Sequence, residues 1–187
     1  MAQRRFFLAL RPDEDGLDFL TNRIQLFRGS GWERFGRFVP TDDLHLTLRF
    51  LGELEDEKME QLQSGAAEIS EQTSPVHYEI GRSVLFPRVS RARIIAAKVT
   101  ASPELKNLVK LLEQLAQDCG LEPETRLFRP HITLARLKHG QKRPNLPSRP
   151  GSISQKATEV LLLESRIGEN GTYFYSEVAT LPLKSGA

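Results

Sequence analysis

One cysteine in 187 residues, Cys119, excludes an internal disulfide and any cysteine-rich metal site. Net charge is equally sparse. Its 26 basic and 24 acidic residues leave a formal +2, too little for the electrostatic footprint of a protein that grips a long nucleic-acid duplex. No run approaches the ~18 uninterrupted apolar residues of a membrane span. The opening Met1 to Leu10 is basic and then apolar, but Arg11, Asp13, Glu14 and Asp15 cut it short of a secretory core. It therefore reads as a first strand, and the expected compartment is the cytoplasm. What is present is ordinary for a folded globular chain, 39% hydrophobic and 27% charged. The length suits one compact domain or two small lobes sharing a core. Arginine makes up 18 of the 26 basic residues, the cation best shaped for two-pronged contact with phosphate, although scattered surface arginine is its commoner use.

Hydrophobic periodicity divides the chain into alternating elements. Arg4 to Leu10 predicts a strand, and the acidic residues after Pro12 start a helix whose Leu17, Leu20, Ile24 and Phe27 recur at helical spacing up to Gly29-Ser30-Gly31. A short strand near Arg34 to Val39 leads to a longer one, Leu44 to Leu51, closed by Gly52. Glu55 to Ile69 predicts an amphipathic helix, and Val76 to Leu85 and Arg93 to Val99 a strand pair. Ser102 caps a helix with Pro103 at its first position, a stripe of Leu105, Leu108, Leu111, Leu112 and Leu115, and an apolar end at Cys119 stopped by Gly120. Pro130 to Leu137 is a further strand, and Lys138 to Gly151 a long surface loop suited to movement. Ala157 to Ser165 and Thr172 to Leu181 close the chain as a hairpin around Gly168-Glu169-Asn170-Gly171.

Histidine is scarce too, with four in the chain, and two share one tail: His45-Leu46-Thr47-Leu48 and His131-Ile132-Thr133-Leu134, 86 residues apart. Alternation puts His and Thr on one face of a half-buried strand, while Leu44, Leu46 and Leu48, and Ile132 and Leu134, fill the core behind. A lone histidine on a strand is ordinarily a packing residue. Two copies with the same threonine spacing call for another account: two bases and two hydroxyl donors around one cleft, equipment for acid/base chemistry on a phosphate ester. A zinc site would need a third ligand, which the spacing does not supply, so neither metal nor cofactor is expected. Arg49 is in phase with His45, and Arg129 and Arg136 bracket His131. Simple alternation puts Arg136 on the core face, so a phosphate role for it requires a bulge or a strand end. His77 and His139 lack the tail and read as surface or packing residues.

The segments Leu44 to Glu53 and Phe128 to Arg136 resemble the two signature segments of the 2H phosphoesterase superfamily, in the form carried by its RNA 2′,3′-cyclic phosphodiesterase family, also called 2′-5′ RNA ligases. Arg5 to Leu10 is similar to that family's first strand, and the element order fits essentially the whole chain. The resemblance implies an α+β, bilobal fold: two antiparallel sheets related by a pseudo-twofold, helices outside, a central cleft, and one domain over residues 1–187 with one motif per lobe. It implies His45 as proton donor, His131 as proton acceptor, Thr47 and Thr133 holding the phosphate, and Arg136 as the second motif's arginine. The expected partner is RNA ending in a 2′,3′-cyclic phosphate, met by a monomer away from membranes. The alternatives are a nucleotide-binding module, or a small cyclic-nucleotide phosphodiesterase using the same cleft. Arg82, Arg88, Arg91 and Arg93, with Lys138, Lys142, Arg143 and Arg149, predict a basic rim for the nucleotides preceding the cyclic end.

Overall fold

The computed structural model describes residues 4–140, 144–168 and 172–184. Its strands are β1 (Arg5–Leu10), β2 (Gly36–Phe38), β3 (Leu46–Gly52), β4 (Val76–Phe86), β5 (Ile94–Ala101), β6 (His131–Leu137), β7 (Ile153–Ala157), β8 (Glu159–Ile167) and β9 (Tyr173–Pro182). Its helices are α1 (Glu14–Gly29), α2 (Asp56–Gln72) and α3 (Pro103–Asp118). All nine strands belong to one curled antiparallel sheet made of two halves about a cleft, with the helices outside. One half runs β7-β4-β5-β6, with β2 on the far edge of β6; the other runs β3-β1-β8-β9. They are continuous at one point, the antiparallel pair Leu46 with Ile132 between β3 and β6. These two residues hold the same place in the two motifs.

The local causes are those the sequence carries. Asp13 caps α1 by accepting from the Gly16 N–H, and the Ser102 hydroxyl caps α3 by accepting from Leu105 N–H. α3 stops where Gly120 takes a left-handed φ of 80°. Its buried stripe is Leu105, Leu108, Leu112 and Ala116, each such leucine contributing ~1.5–3 kcal/mol. Leu111, expected in that stripe, instead faces solvent. Strand β1 is buried on both faces, with Phe6, Leu8 and Leu10 in the main core and Phe7 and Ala9 in a smaller cluster with Leu161 and Leu163.

Several boundaries differ from the expected ones for physical reasons. The strand expected from Leu44 begins at Leu46, after a 3-10 turn at Thr41–Asp43, and another 3-10 turn, Trp32–Phe35, takes up part of the region expected as a short strand. β7 is not legible because its sequence, Ile-Ser-Gln-Lys-Ala, is polar at one of its two buried positions. Gln155 is only 3% exposed, and its amide is used on the α1 cap: Nε2 donates to Asp13 Oδ1 at 2.8 Å and Oε1 accepts from Asp13 N–H at 2.9 Å. The final hairpin is closed by Gly168 N–H donating to Thr172 O; Glu169, Asn170 and Gly171 lie outside the described residues.

Both motif strands carry a β-bulge at the motif's last residue. In β3, Thr47 pairs with Ala9 and Arg49 with Leu8, leaving Leu48 as the extra residue. In β6, Thr133 pairs with Ala96 and Ala135 with Ile95, leaving Leu134 as the extra residue. A bulge reverses the faces of everything after it. Arg49 and Ala135 therefore turn to the helix side, and Phe50 and Arg136 return to the cleft.

Candidate active site

Each motif is anchored in the same way. His45 Nδ1 lies 2.7 Å from the carbonyl oxygen of Asp43, and His131 Nδ1 lies 2.8 Å from that of Arg129, two residues upstream in both cases. A carbonyl only accepts, so Nδ1 carries the hydrogen and Nε2 is left as the exchanging nitrogen. Thr47 and Thr133, both half-buried, stand opposite Ala9 and Ala96, whose single methyl groups leave the hydroxyls room. Among the described residues neither hydroxyl has a hydrogen-bond partner, so both are free to donate to a ligand. If the Leu46–Ile132 register is continued by one residue each way, each imidazole lies across from the other motif's threonine.

Aromatic rings pack around both imidazoles. The His45 ring lies 4.9 Å from Phe7 and 5.0 Å, edge-on, from Tyr175, while His131 stacks on Phe86 at 4.6 Å. Burial pushes the His45 pKa down to about 4; the Asp43 carbonyl opposes this, and the positive Arg136 and Arg11 add to it. His45 is thus neutral at pH 7 in the unliganded protein.

Arg136 reaches the cleft by the bulge at Leu134, which its sequence position required. Its Nη2 donates to the Tyr175 hydroxyl at 3.1 Å, and its guanidinium lies 4.0 Å from the centre of the Tyr173 ring. Tyr175 therefore touches both His45 and Arg136 and links the two halves of the sheet. Arg49, expected beside His45, is not there. Its Nε pairs with Glu113 Oε2 of α3 at 2.5 Å and its Nη2 donates to Glu122 O, a structural clamp on the helix side. Arg129 lies over the Phe86 ring at 4.7 Å. His77 and His139 are exposed and away from the motifs, as read. Phe7, Phe86, Tyr173 and Tyr175 carry no motif, and only the period of two along β9 hints that its tyrosines share a face.

The family model for LigT like phosphoesterases matches residues 21–96 and 98–164, which include both His-x-Thr-Leu segments. The chain belongs to the LigT-like phosphoesterase family. The RNA 2′,3′-cyclic phosphodiesterase of Aeropyrum pernix is 33% identical over 114 residues, covering 58% of this LigT-like chain and 61% of that protein. The RNA 2′,3′-cyclic phosphodiesterase of Methanothermobacter thermautotrophicus is 27% identical over 176 residues, covering 91% and 94%. Among solved structures, E. coli LigT complexed with 3′-AMP superposes with a TM-score of 0.77 at 27% identity, covering 99% of this LigT-like chain and all of that one. No helix among the described residues is long and apolar enough to cross a membrane.

Proposed function

We propose that this chain, acting as one bilobal unit, hydrolyses RNA 2′,3′-cyclic phosphate ends to 2′-phosphomonoesters through its two motif histidines. The observation that carries the reading is the repeated station, in which each imidazole is held by Nδ1 to the carbonyl two residues upstream and accompanied by an unpartnered threonine hydroxyl. The likeness to relatives named RNA 2′,3′-cyclic phosphodiesterase, and to a LigT structure holding 3′-AMP, supports the substrate class.

In the proposed reaction a water attacks the phosphorus in line with the departing 3′ oxygen. His131 Nε2 takes the water proton and His45 Nε2 gives one to the 3′ oxygen, so the P–O3′ bond breaks and a 3′-hydroxyl and 2′-phosphate remain. Thr47, Thr133 and Arg136 hold the non-bridging oxygens, where charge accumulates. No step in this route needs a metal. The same displacement, with an RNA 5′-hydroxyl attacking in place of water, gives 2′-5′ ligation. Because His45 is neutral at rest, its acid role requires the substrate's own anionic charge to restore its proton.

The test is hydrolysis of RNA ending in a 2′,3′-cyclic phosphate in the presence of EDTA, with the product's phosphate located. A 2′-phosphate formed at undiminished rate is expected. Stoichiometric binding without turnover would make the cleft a nucleotide sensor, and a 3′-phosphate product would overturn the leaving-group assignment.

A further inference from the structure

A groove of about 800 Å³ opens beside the second motif, between the tail of β5, the first half of α3 and the segment leading into β6. It exists because β6 begins only at His131. Beyond that point Val99 N–H bonds Pro130 O and the last residues of β5 lack a further strand on that edge. The groove's apolar lining is Val99, Val109, Leu127 and Phe128, and the last two are 88% and 36% exposed. The lining also carries four cations, Arg82, Lys98, Lys106 and Lys110, and no acidic residue. Among the described residues none of these four cations makes an ion pair or side-chain hydrogen bond. In a chain whose net charge is only +2, four unpaired cations around one hollow are a local excess.

The groove adjoins the start of the second motif strand. Lys98 is the cross-strand partner of His131, and Pro130, the residue before it, lines the groove. Lys106 and Lys110 sit one turn apart on the exposed side of α3, an i, i+4 pair that extends the positive track away from His131. An exposed aromatic ring facing a row of cations is the arrangement that holds a single strand, with bases stacked on the ring and phosphates on the cations. The expected rim is only partly this surface. Arg82 lines the groove, Arg88 and Arg149 line a neighbouring hollow with Arg82, Lys138 is tied to the Arg34 carbonyl, and Lys142 and Arg143 lie outside the described residues.

We propose that this groove binds the single-stranded RNA immediately preceding the cyclic phosphate, with backbone phosphates on Lys98, Lys106, Lys110 and Arg82 and a base against Phe128. The proposal rests on the function given above, and the experiment separates the two. A fluorescent single strand of about six nucleotides with a 3′-phosphate is titrated into the wild type and the Lys106→Gln/Lys110→Gln variant across about 50–200 mM salt. Both substitutions lie on an exposed helix face, and hydrolysis of a 2′,3′-cyclic mononucleotide serves as the internal reference. Losing two phosphate contacts should lower the slope of log affinity against log salt by ~1.4, roughly a sevenfold smaller loss of affinity over that range. Mononucleotide turnover should stay unchanged. Equal slopes in the two proteins would overturn the groove, as would equal binding of a duplex of the same sequence or of an oligoglutamate. A wild type that binds with the steeper slope yet hydrolyses no cyclic phosphate would overturn the function and keep the groove.

Discussion

Burial of His45 makes a quantitative statement about stability. Its folded pKa of about 4 lies below the 6.5 of an unperturbed imidazole, so between those values the unfolded chain binds more protons than the folded one. Stability is therefore fully present above pH 6.5 and is lost as pH falls towards 4. A shift of this size amounts to ~3 kcal/mol in total, of which about 2 kcal/mol is gone by pH 5. The perturbation is His45→Gln, which keeps a polar side chain but cannot titrate. Urea unfolding of wild type and variant from pH 7.5 to 5 gives two stability curves. A constant offset reports packing, while the His45 contribution appears as convergence of the curves by about 2 kcal/mol. Carboxylates held low, such as Glu124 and Glu164, cancel in the comparison because both proteins carry them. Parallel curves would refute the reasoning and show that the ring is solvated in the folded protein.

His45→Ala and His131→Ala should each lower cyclic-phosphate hydrolysis by ~10²–10⁴-fold with circular dichroism unchanged, and Thr47→Ala or Thr133→Ala by less. Arg49→Met and Arg136→Met should part company: the first loses on the order of 1–3 kcal/mol in unfolding experiments with kcat unchanged, the second keeps its melting temperature and raises KM. The opposite pattern would mean that the bulges do not set the two faces as described. Gly36→Ala should destabilise the protein and loosen Arg136, because an added Cβ would lie 2.4 Å from the Arg136 carbonyl oxygen; a wild-type KM and melting temperature would show that β2 has slack there.

The sequence revealed what depends on period and failed where the backbone breaks period. The two motif strands, the core leucines behind them and the caps at Asp13 and Ser102 all follow from local rules. A bulge does not, since Leu48 and Leu134 are ordinary strand residues and the extra residue is fixed by pairing with β1 and β5. That is why Arg49 was expected at the cleft and is found on α3. For Arg136 the same local reading could only state the condition that a bulge must satisfy. Gln155 and β7 fail for the reverse reason: a buried amide satisfied by Asp13 looks, in sequence, like a surface loop. Of the groove cations Arg82 belongs to the expected rim, whereas Lys106 and Lys110 lie on the solvated side of an amphipathic helix, and only the early end of β6 shows what they border.

The repeated motif supplies two like stations, whereas in-line displacement needs two unequal ones, and the inequality lies outside the repeated residues. Two residues past the bulge one strand has Arg136 and the other Phe50, so of the two motif strands only β6 brings a cation to the cleft. One imidazole is wedged between Phe7 and Tyr175 and held neutral; the other stacks on a single ring. On the proposed mechanism the ester monoanion, arriving beside His45, favours its charged form and offsets the burial that suppresses it. The pH profiles should therefore separate. The kcat/KM profile reports the free enzyme and should have a limb near pH 4 belonging to His45, whichever imidazole is the acid. The kcat profile reports the bound complex, where the same limb should move to higher pH. Stopped-flow hydrolysis of a cyclic mononucleotide from pH 3.5 upward, at low and saturating substrate, measures both. Limbs that coincide would mean the bound phosphate does not touch His45, and would remove it as the donor of the leaving-group proton.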